Sequence, residues 1–560
     1  MEIENRNLIE RRWQMMRQEQ LSWVPGWRDI QRFINPTRGF FYEAIPNWGR
    51  TIDHKSQLSG APNRAARIMA AGMRSGLASP SRPWFKLGLE NQDLMELEPV
   101  KEYLELCQER MMSVFAKSNI YGELHAMYEE IGTFGTACAM VLDDYDTVVR
   151  MHGFTSGEYF LGQDPTGRVN SFGRYYNMTV GQLVEEYGIE NVSPQVSGMY
   201  KSNKNMDSWI KVCHLIEPND NRLPDRKDFK NKAFRSVTWE FGSSMNLALR
   251  VGGFDEFPIV APRWQKTTTS FIYGWGPGHY SLGDVKTLMQ MKKDYLVAVA
   301  KVNNPPMQAD GTVQGEMNLL PNGITRTSAT TPNAGIRPAY EINPQLENMH
   351  NAMDRLKEEI DENFFVQLFT MLANSDNGRM TAYEVSKRYE EKLNLLGPVI
   401  EHLESELHNP LIEITFQKML EKGVIPPPPE EIQGENMKIE YISMLSQAQK
   451  LAGTLSIERT MAFVGNLVGV YPEVKDVVDA DETVIKYGDL EGVPRDLLRT
   501  KEEIFGIRQQ REQQAQAQAQ AEMAQQLAQG AKTLSETPLG TGSALDAITG
   551  NTAVSAQAEK

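Results

Sequence analysis

Cysteine is scarce: Cys107, Cys138 and Cys213 are the only three in 560 residues. Three widely spaced thiols with no CxxC argue against both a disulfide framework and a cysteine zinc site, so each is expected to be a small buried hydrophobe. Long apolar runs are missing as well. Stretches such as Tyr295–Ala300 fall far short of the roughly 20 residues a membrane-spanning helix needs. The first residues, MEIENRNLIERRW, carry acids where a secretory signal has a basic run, and no apolar segment follows; a soluble, intracellular protein is expected. Nor is there an excess of positive charge. Lys and Arg number 58 against 73 Asp and Glu, a formal net charge of -15 with a sequence pI near 5.2. Such a chain repels nucleic acid unless its charge is unevenly distributed, so a role with DNA has to be something other than tight binding over a basic face.

The usual catalytic signatures are missing too. No GxxxxGK[ST] occurs, which removes the argument for a P-loop enzyme, and there is no HExxH. The run Gly274-Trp275-Gly276-Pro277-Gly278 has the wrong spacing for a dinucleotide fingerprint, and its proline suits a rigid turn better than a phosphate cradle. His402 and His408 lie six apart among glutamates, on different helix faces, and are expected to be solvated rather than joint metal ligands. Asp143, Asp144 and Asp146 lack the glycine and downstream glutamate of a calcium loop in register, so a solvated hairpin tip is expected.

What is present is size and pattern. The chain is long enough for two to four packed units, with 41% apolar and 23% charged residues, ordinary globular usage. Helical periodicity marks Asn7–Gln20, Arg64–Leu77 (ended by Pro80 and Pro83), Val100–Phe115 and Tyr121–Ile131. From Gly135 the period shortens. Thr136–Leu142 with Thr147–Phe154, and Glu158–Gln163 with Arg168–Tyr176, read as two β-hairpins, the second closed by the type I turn Asp164-Pro165-Thr166-Gly167. Thr179 caps a short helix ending at Gly188, and strands follow around Trp209–Leu215 and Phe234–Val251.

A helix over Leu282–Val302 stops at Asn303-Asn304-Pro305-Pro306, and helix signals then vanish until Asn343. Leu346, Met349, Met353, Leu356, Ile360, Phe364 and Leu368 restore them on one face, so two helices bracket a compact non-helical insert. After the polar stretch Ala373–Arg379, Thr381 caps a third long helix to about His408, with Pro398 as the expected kink. Asn409–Lys422 is a further amphipathic piece and Pro426–Pro429 a stiff spacer. Lys438–Val470 and Asp481–Gln510 read as mainly helical, and Gln513–Gln529 begins a Gln/Ala-rich low-complexity tail.

In order along the chain, RAARIMAAGMRSGLASPSRPWFKL (Arg64–Leu87), KSNIYGELHAMYEEIGTFGTA (Lys117–Ala137), SGEYFLGQDPTGRV (Ser156–Val169), GGFDEFPIVAPRW (Gly252–Trp264), YGWGPGHYSLGDVKTLMQM (Tyr273–Met291), NNPPMQADG (Asn303–Gly311), MTAYEVSKRYEEKL (Met380–Leu393) and EYISMLSQAQK (Glu440–Lys450) resemble the head-to-tail connector (portal) proteins of short-tailed, T7-like phages. The match runs over about residues 8–510. It implies an α+β portal fold and a ring, usually of twelve copies, set at one capsid vertex. Double-stranded DNA would be packaged through that ring by the terminase large subunit and later ejected into the tail. The expected divisions are a mixed α/β wing over 1–280, stem helix 1 over 281–303, a clip over 304–343, stem helix 2 over 344–372, a tunnel loop over 373–380, a long wing helix over 381–425, a helical crown over 430–510 and the tail over 511–560. No cofactor, metal or catalytic residue is implied. Tail adaptor, major capsid and scaffolding proteins are the implied partners, and the virion, after assembly in the host cytoplasm, the implied location.

The clip segments Met307–Val313 and Gly323–Thr330 suit strand sharing between neighbouring chains, with Glu316, Arg326 and Arg337 as docking candidates. Asn374, Asp376, Asn377 and Arg379 would form the tunnel loop, Arg379 supplying one positive charge per copy at the constriction; an ordinary polar turn is the plainer alternative. Lys292 and Lys293 on the first stem helix and Glu358, Glu359 and Glu362 on the second are candidates for lining the channel, and salt bridging between subunits is the competing use of these charges. Twelve copies at -15 each sum to about -180, a wall that duplex DNA, with a charge about every 1.7 Å of axis, slides past rather than sticks to. Two readings from other classes remain open at this stage: a ring-forming tail or adaptor protein, and a metal-dependent nuclease concealed in the wing.

Overall fold

The computed structural model describes residues 6–41, 56–95, 97–202, 205–223, 226, 228–243, 246–309, 313–314, 326–327, 336–339, 345–375, 394–432, 434, 437–443, 445–446, 455–468 and scattered positions between 471 and 524. These belong to two compact units, Met1–Met461 and Ala462–Lys560. Both helices and strands build the first unit, and its sheets are antiparallel.

Helix α1 (Arg6–Phe33) buries Ile9, Trp13, Gln20, Val24, Trp27 and Ile30, spaced by three, four and seven along one face. Helix α2 (Ala61–Leu77) buries a run of small residues, Ala65, Ala66, Ala70 and Gly72 among them, which lets its neighbours approach closely. Strand β1 (Phe85–Leu89), α3 (Gln92–Met95), α4 (Glu98–Lys117) and α5 (Ile120–Phe134) complete the first helical layer. Strands β2 (Cys138–Asp144) and β3 (Val148–Phe154) form the first hairpin, and β9 (Ile259–Val260) adds to β2.

Strands β4 (Tyr159–Gln163), β5 (Val169–Thr179), β6 (Trp209–Pro218), β7 (Phe234–Glu240) and β8 (Arg250–Phe254) form a five-stranded antiparallel sheet in that order. Successive residues of β6 point to opposite faces. Cys213 and Leu215 join Ile9 and Trp13 of α1 on one face. Val212 on the other joins Val180 and Leu183 of α6 (Val180–Tyr187) and Val196 of α7 (Pro194–Lys201). The sheet is thus a filling between α1 and the α6–α7 pair. Helix α6 carries the expected cap, Thr179 accepting from the Gln182 backbone while Gln182 reaches back to the Thr179 N–H. All three cysteines are free and buried.

The segment Gly274-Trp275-Gly276-Pro277-Gly278 leads into α8 (Pro277–Tyr280) and packs on the last turn of α5. Gly135 caps α5 at φ +77°, and a Cβ built on it would stand 2.2 Å from the Gly274 carbonyl oxygen. Here the glycines serve backbone-to-backbone packing.

Three sequence readings change. The helix expected over Leu346–Leu368 is broken into α10 (Leu346–Asn363) and α11 (Val366–Ser375) by Phe365, a non-glycine residue at φ +53°. Helix 394–403, which contains Pro398, passes through a π turn, Glu404–His408, straight into α12 (Asn409–Glu421), so Asn409–Lys422 is a continuation and not a separate piece. Pro410 has no N–H to offer the Glu406 carbonyl four residues back, and the Asn409 N–H bonds to the Glu404 carbonyl instead. Finally, Met437–Tyr441 is a strand, β14, paired antiparallel with β1, where helix was expected. Its alternation of half-buried (Met437, Ile439) and exposed (Lys438, Glu440) residues, ending on buried Tyr441, is the two-residue period of a strand.

A buried acidic pair ties α5 to its surroundings. Arg38 pairs with Glu129 at 2.9 Å, while Glu130, 2% exposed, accepts from Thr155 Oγ1 at 2.6 Å and from the Ser156 N–H at 3.2 Å. Burial outweighs these bonds and raises the Glu130 carboxyl to about 7. A carboxyl whose folded pKa lies above its unfolded value binds more protons in the native state, so stability falls as pH rises between the two values. The expected result is a loss of about 3 kcal/mol between pH 4.5 and 7 from this group, read by urea titrations across that range and flattened in Glu130→Gln.

Candidate functional site

Helix α9 (Leu282–Asn303) buries Val285, Leu288 and Met289 in its first two turns and nothing beyond them. It leads to β10 (Met307–Ala309); β11 (Val313–Gln314), β12 (Arg326–Thr327) and β13 (Ile336–Pro338) follow before α10. Strand β10 pairs antiparallel with β13, and β11 with β12. The chain therefore leaves the body on α9, turns through two nested two-stranded ladders and returns on α10, which packs against α9. On α10 only Met353 and Ile360 are buried. The strands expected to be shared between chains thus have partners within this one.

The returning arm is rooted by close packing. A Cβ on Gly72 of α2 would stand 2.4 Å from the Phe369 Cβ and 2.7 Å from its Cα, so α11 lies nearly backbone to backbone on α2. Phe365 at positive φ permits this: it ends α10 and redirects the chain so that Leu368 and Phe369 are buried. Around the root, Arg64 donates to Asp361 at 3.2 Å and Lys286 to Asp29 at 2.6 Å. Burial raises the Asp361 carboxyl, with Arg64 opposing.

The charged candidates are not gathered into one site. Lys292 is half-buried, its ammonium 5.4 Å from the Tyr295 ring centroid, and it acts on Asp354 of α10, whose carboxyl is held low first by the Lys357 hydrogen bond at 2.8 Å. Lys293, Glu358, Glu359 and Glu362 are exposed on the outer faces of their helices. Arg337 is exposed in β13, opposite Gln308. Arg326 is paired through its backbone with Gln314 in the inner ladder, and Asn374 stands in the last turn of α11. Glu316, Asp376, Asn377 and Arg379 lie outside the described residues, as does the Thr381 start of the third long helix.

The sequence reading missed the junction at the π turn. Arg263, 1% exposed, pairs with Glu406 at 2.5 Å and also donates to the carbonyls of Gly167 and Ile272. Lys266 reaches the same carboxylate at 3.1 Å. Burial alone would raise Glu406, but its bonds and charge contacts with Arg263 and Lys266 outweigh it and hold the carboxyl low. His408, expected to be solvated, is 1% exposed; it shares a 2.9 Å hydrogen bond with the Tyr128 hydroxyl, and burial lowers it to about 3. Spacing cannot locate such a junction, because its members are 143 residues apart; only Pro410 hints at it. At the β2–β3 tip, Asp143 pairs with Lys418 at 3.0 Å and Asp144 accepts from Thr147, and no cluster of three or more metal-ligating side chains occurs among the described residues.

An α/β body carrying a two-helix arm with a small β insert at its turn has relatives. Residues 6–498 match the family described as bacteriophage head to tail connecting protein. The "Portal protein" of Salmonella phage epsilon15 is 39% identical over 98% of this chain and 98% of its own length. The "Probable portal protein" of Bordetella phage BPP-1 is 38% identical over 97% of this chain and 98% of its own. A chain from the virion of a native gene transfer agent particle aligns with 80% of this chain and 96% of its own, at 11% identity and a TM-score of 0.34, a likeness too slight to say more. The chain belongs to the bacteriophage head to tail connecting protein family. Within it, its function is that of a phage portal protein.

Proposed function

We propose that this chain is the repeating subunit of a closed ring, of about twelve copies by the resemblance described above, placed at one vertex of a phage capsid. In this reading β2–β9 and the helices around them form the wing, α9 and α10 the stem, residues 304–343 the clip and 373–380 the tunnel loop, with residues 430–510 as the crown. Double-stranded DNA enters through the ring under the action of a terminase and later leaves it for the tail. The clip, through Glu316, Arg326 and Arg337, meets the terminase large subunit and afterwards a tail adaptor, while the wing meets major capsid and scaffolding proteins. Arg379, with Asn374, Asp376 and Asn377, narrows the channel.

The observation that supports this best is the α9–α10 arm itself. Most of α9 is exposed in a single chain, with Leu296 at 49%, Val297 at 45% and Val302 at 44%, as expected of a helix whose packing partners are other copies. Electron microscopy of the purified protein is the test: closed particles with a fixed rotational symmetry and an axial hole are expected. A monomer at high concentration, with and without scaffolding protein, contradicts the ring.

A further inference from the structure

We propose that the α9–α10 arm carries two complementary charged stripes and that a second copy of this chain is the occupant of each, the lysine stripe of one subunit lying against the glutamate stripe of the next. This rests on the ring reading and names its contact. On α9, Lys286, Gln290, Lys293, Asp294, Val297 and Lys301 are all exposed, and their spacings of four, three, one, three and four place them on one face, three lysines to one aspartate. On α10, Glu347, Asn351, Arg355, Glu358 and Glu362 are exposed at spacings of four, four, three and four, with Glu359 beside them. Met353 and Ile360 are buried on the opposite side of that helix.

Each stripe runs over sixteen residues, about 22 Å of helix from end to end. Lys286 has Asp29 as a partner. Among the described residues no ion pair engages Lys293, Lys301, Glu347, Glu358, Glu359 or Glu362, whereas Asp354 and Asp361, nearer the buried face, are paired within the chain.

The opposite bias of sign on the two helices is what points to a second copy. Charges serving solubility alone are evenly interspersed; here the exposed α9 face carries three lysines to one aspartate, Asp294, and the exposed α10 face four glutamates to one arginine, Arg355, over matched lengths. Two different patches that fit each other make a head-to-tail contact, which closes into a ring when the rotation between copies allows. Exposed pairs contribute little singly, so the stripes act mainly on register and on the choice of partner, and apolar residues such as Val297 and Leu296 add the desolvated area.

The test is reciprocal charge reversal. The Lys293→Glu/Lys301→Glu chain has two acidic stripes and the Glu358→Lys/Glu362→Lys chain two basic ones. Each alone is expected to need about tenfold more protein than the unaltered chain to assemble, a gap that narrows in high salt. Mixed in equal amounts, they are expected to form rings in which the two alternate, seen by native mass spectrometry as equal stoichiometry. One chain carrying all four changes is expected to regain rings by itself.

Circular dichroism checks each fold, and Lys293→Gln/Lys301→Gln, a neutral variant, should assemble weakly with little salt dependence. Single-sign chains that assemble as well as the unaltered one overturn the inference, as does a mixture of folded chains that fails to assemble, and both leave the ring standing. Reversed chains that form normal rings but handle DNA differently place the stripes on the channel wall and also overturn it. Absence of rings from the unaltered chain is instead the failure of the ring reading.

Discussion

Glu406→Ala is expected to destabilise the folded subunit by about 3–5 kcal/mol, the cost of leaving one member of a buried ion pair without its partner. Arg263 is 1% exposed, its two carbonyl contacts cannot neutralise its charge, and Lys266 is left beside it with the same sign. Urea denaturation followed by tryptophan fluorescence measures the loss. Glu406→Gln, which keeps acceptor geometry but not charge, should cost less. Arg263→Met/Glu406→Leu, which removes both charges, should recover much of the difference, since an apolar pair of similar volume often replaces a buried ion pair without loss. A Glu406→Ala chain as stable as the parent would mean that the Arg263 guanidinium finds water, contrary to the packing described.

The second large effect is expected at Gly72→Leu. No side chain fits between α2 and α11, because the first added atom already meets the Phe369 backbone. The two helices must separate or the variant must unfold, at a cost of about 3 kcal/mol. The readouts divide the effect. Thermal denaturation reports the stability, and particle images report whether the α9–α10 arm, displaced at its root, still assembles. Gly72→Ala is expected to lie between, with a gain in helix propensity of about 1 kcal/mol partly offsetting the clash. Normal melting and normal rings for Gly72→Leu would refute the close seam.

How much of this was legible in the sequence follows from the range of the forces involved. Local periodicity located α2, α4, α5 and both early hairpins, because the alternation of buried and exposed side chains is written along a few turns or strands. The insert between two helices was legible for the same reason: Pro305 and Pro306 stop one helix and the stripe from Leu346 opens the next. The break at Phe365 was not, since Phe364, Leu368 and Phe369 fit an unbroken apolar stripe, and only the seam with Gly72 forces the turn. Nor was β14, whose partner β1 lies some 350 residues away. Among the charged candidates, type was readable but partner was not: Lys292 is turned toward Asp354, whereas Lys293, one residue on, faces outward.

The π turn has a consequence for the helix that contains it. Before the turn, Leu396, Val399, Ile400 and Leu403 are buried; after it, Leu411, Ile412, Ile414, Thr415 and Met419 are. Counted at an unbroken 100° per residue, the second group would be rotated about 110° from the first, out of phase with the same core. One surplus residue in a wider turn takes back nearly that angle. The irregularity is thus a phase correction, and it makes the length of this helix a conserved quantity in the mechanical sense. Removing a residue between 404 and 408 would give a better-formed helix with half of its apolar face aimed at solvent.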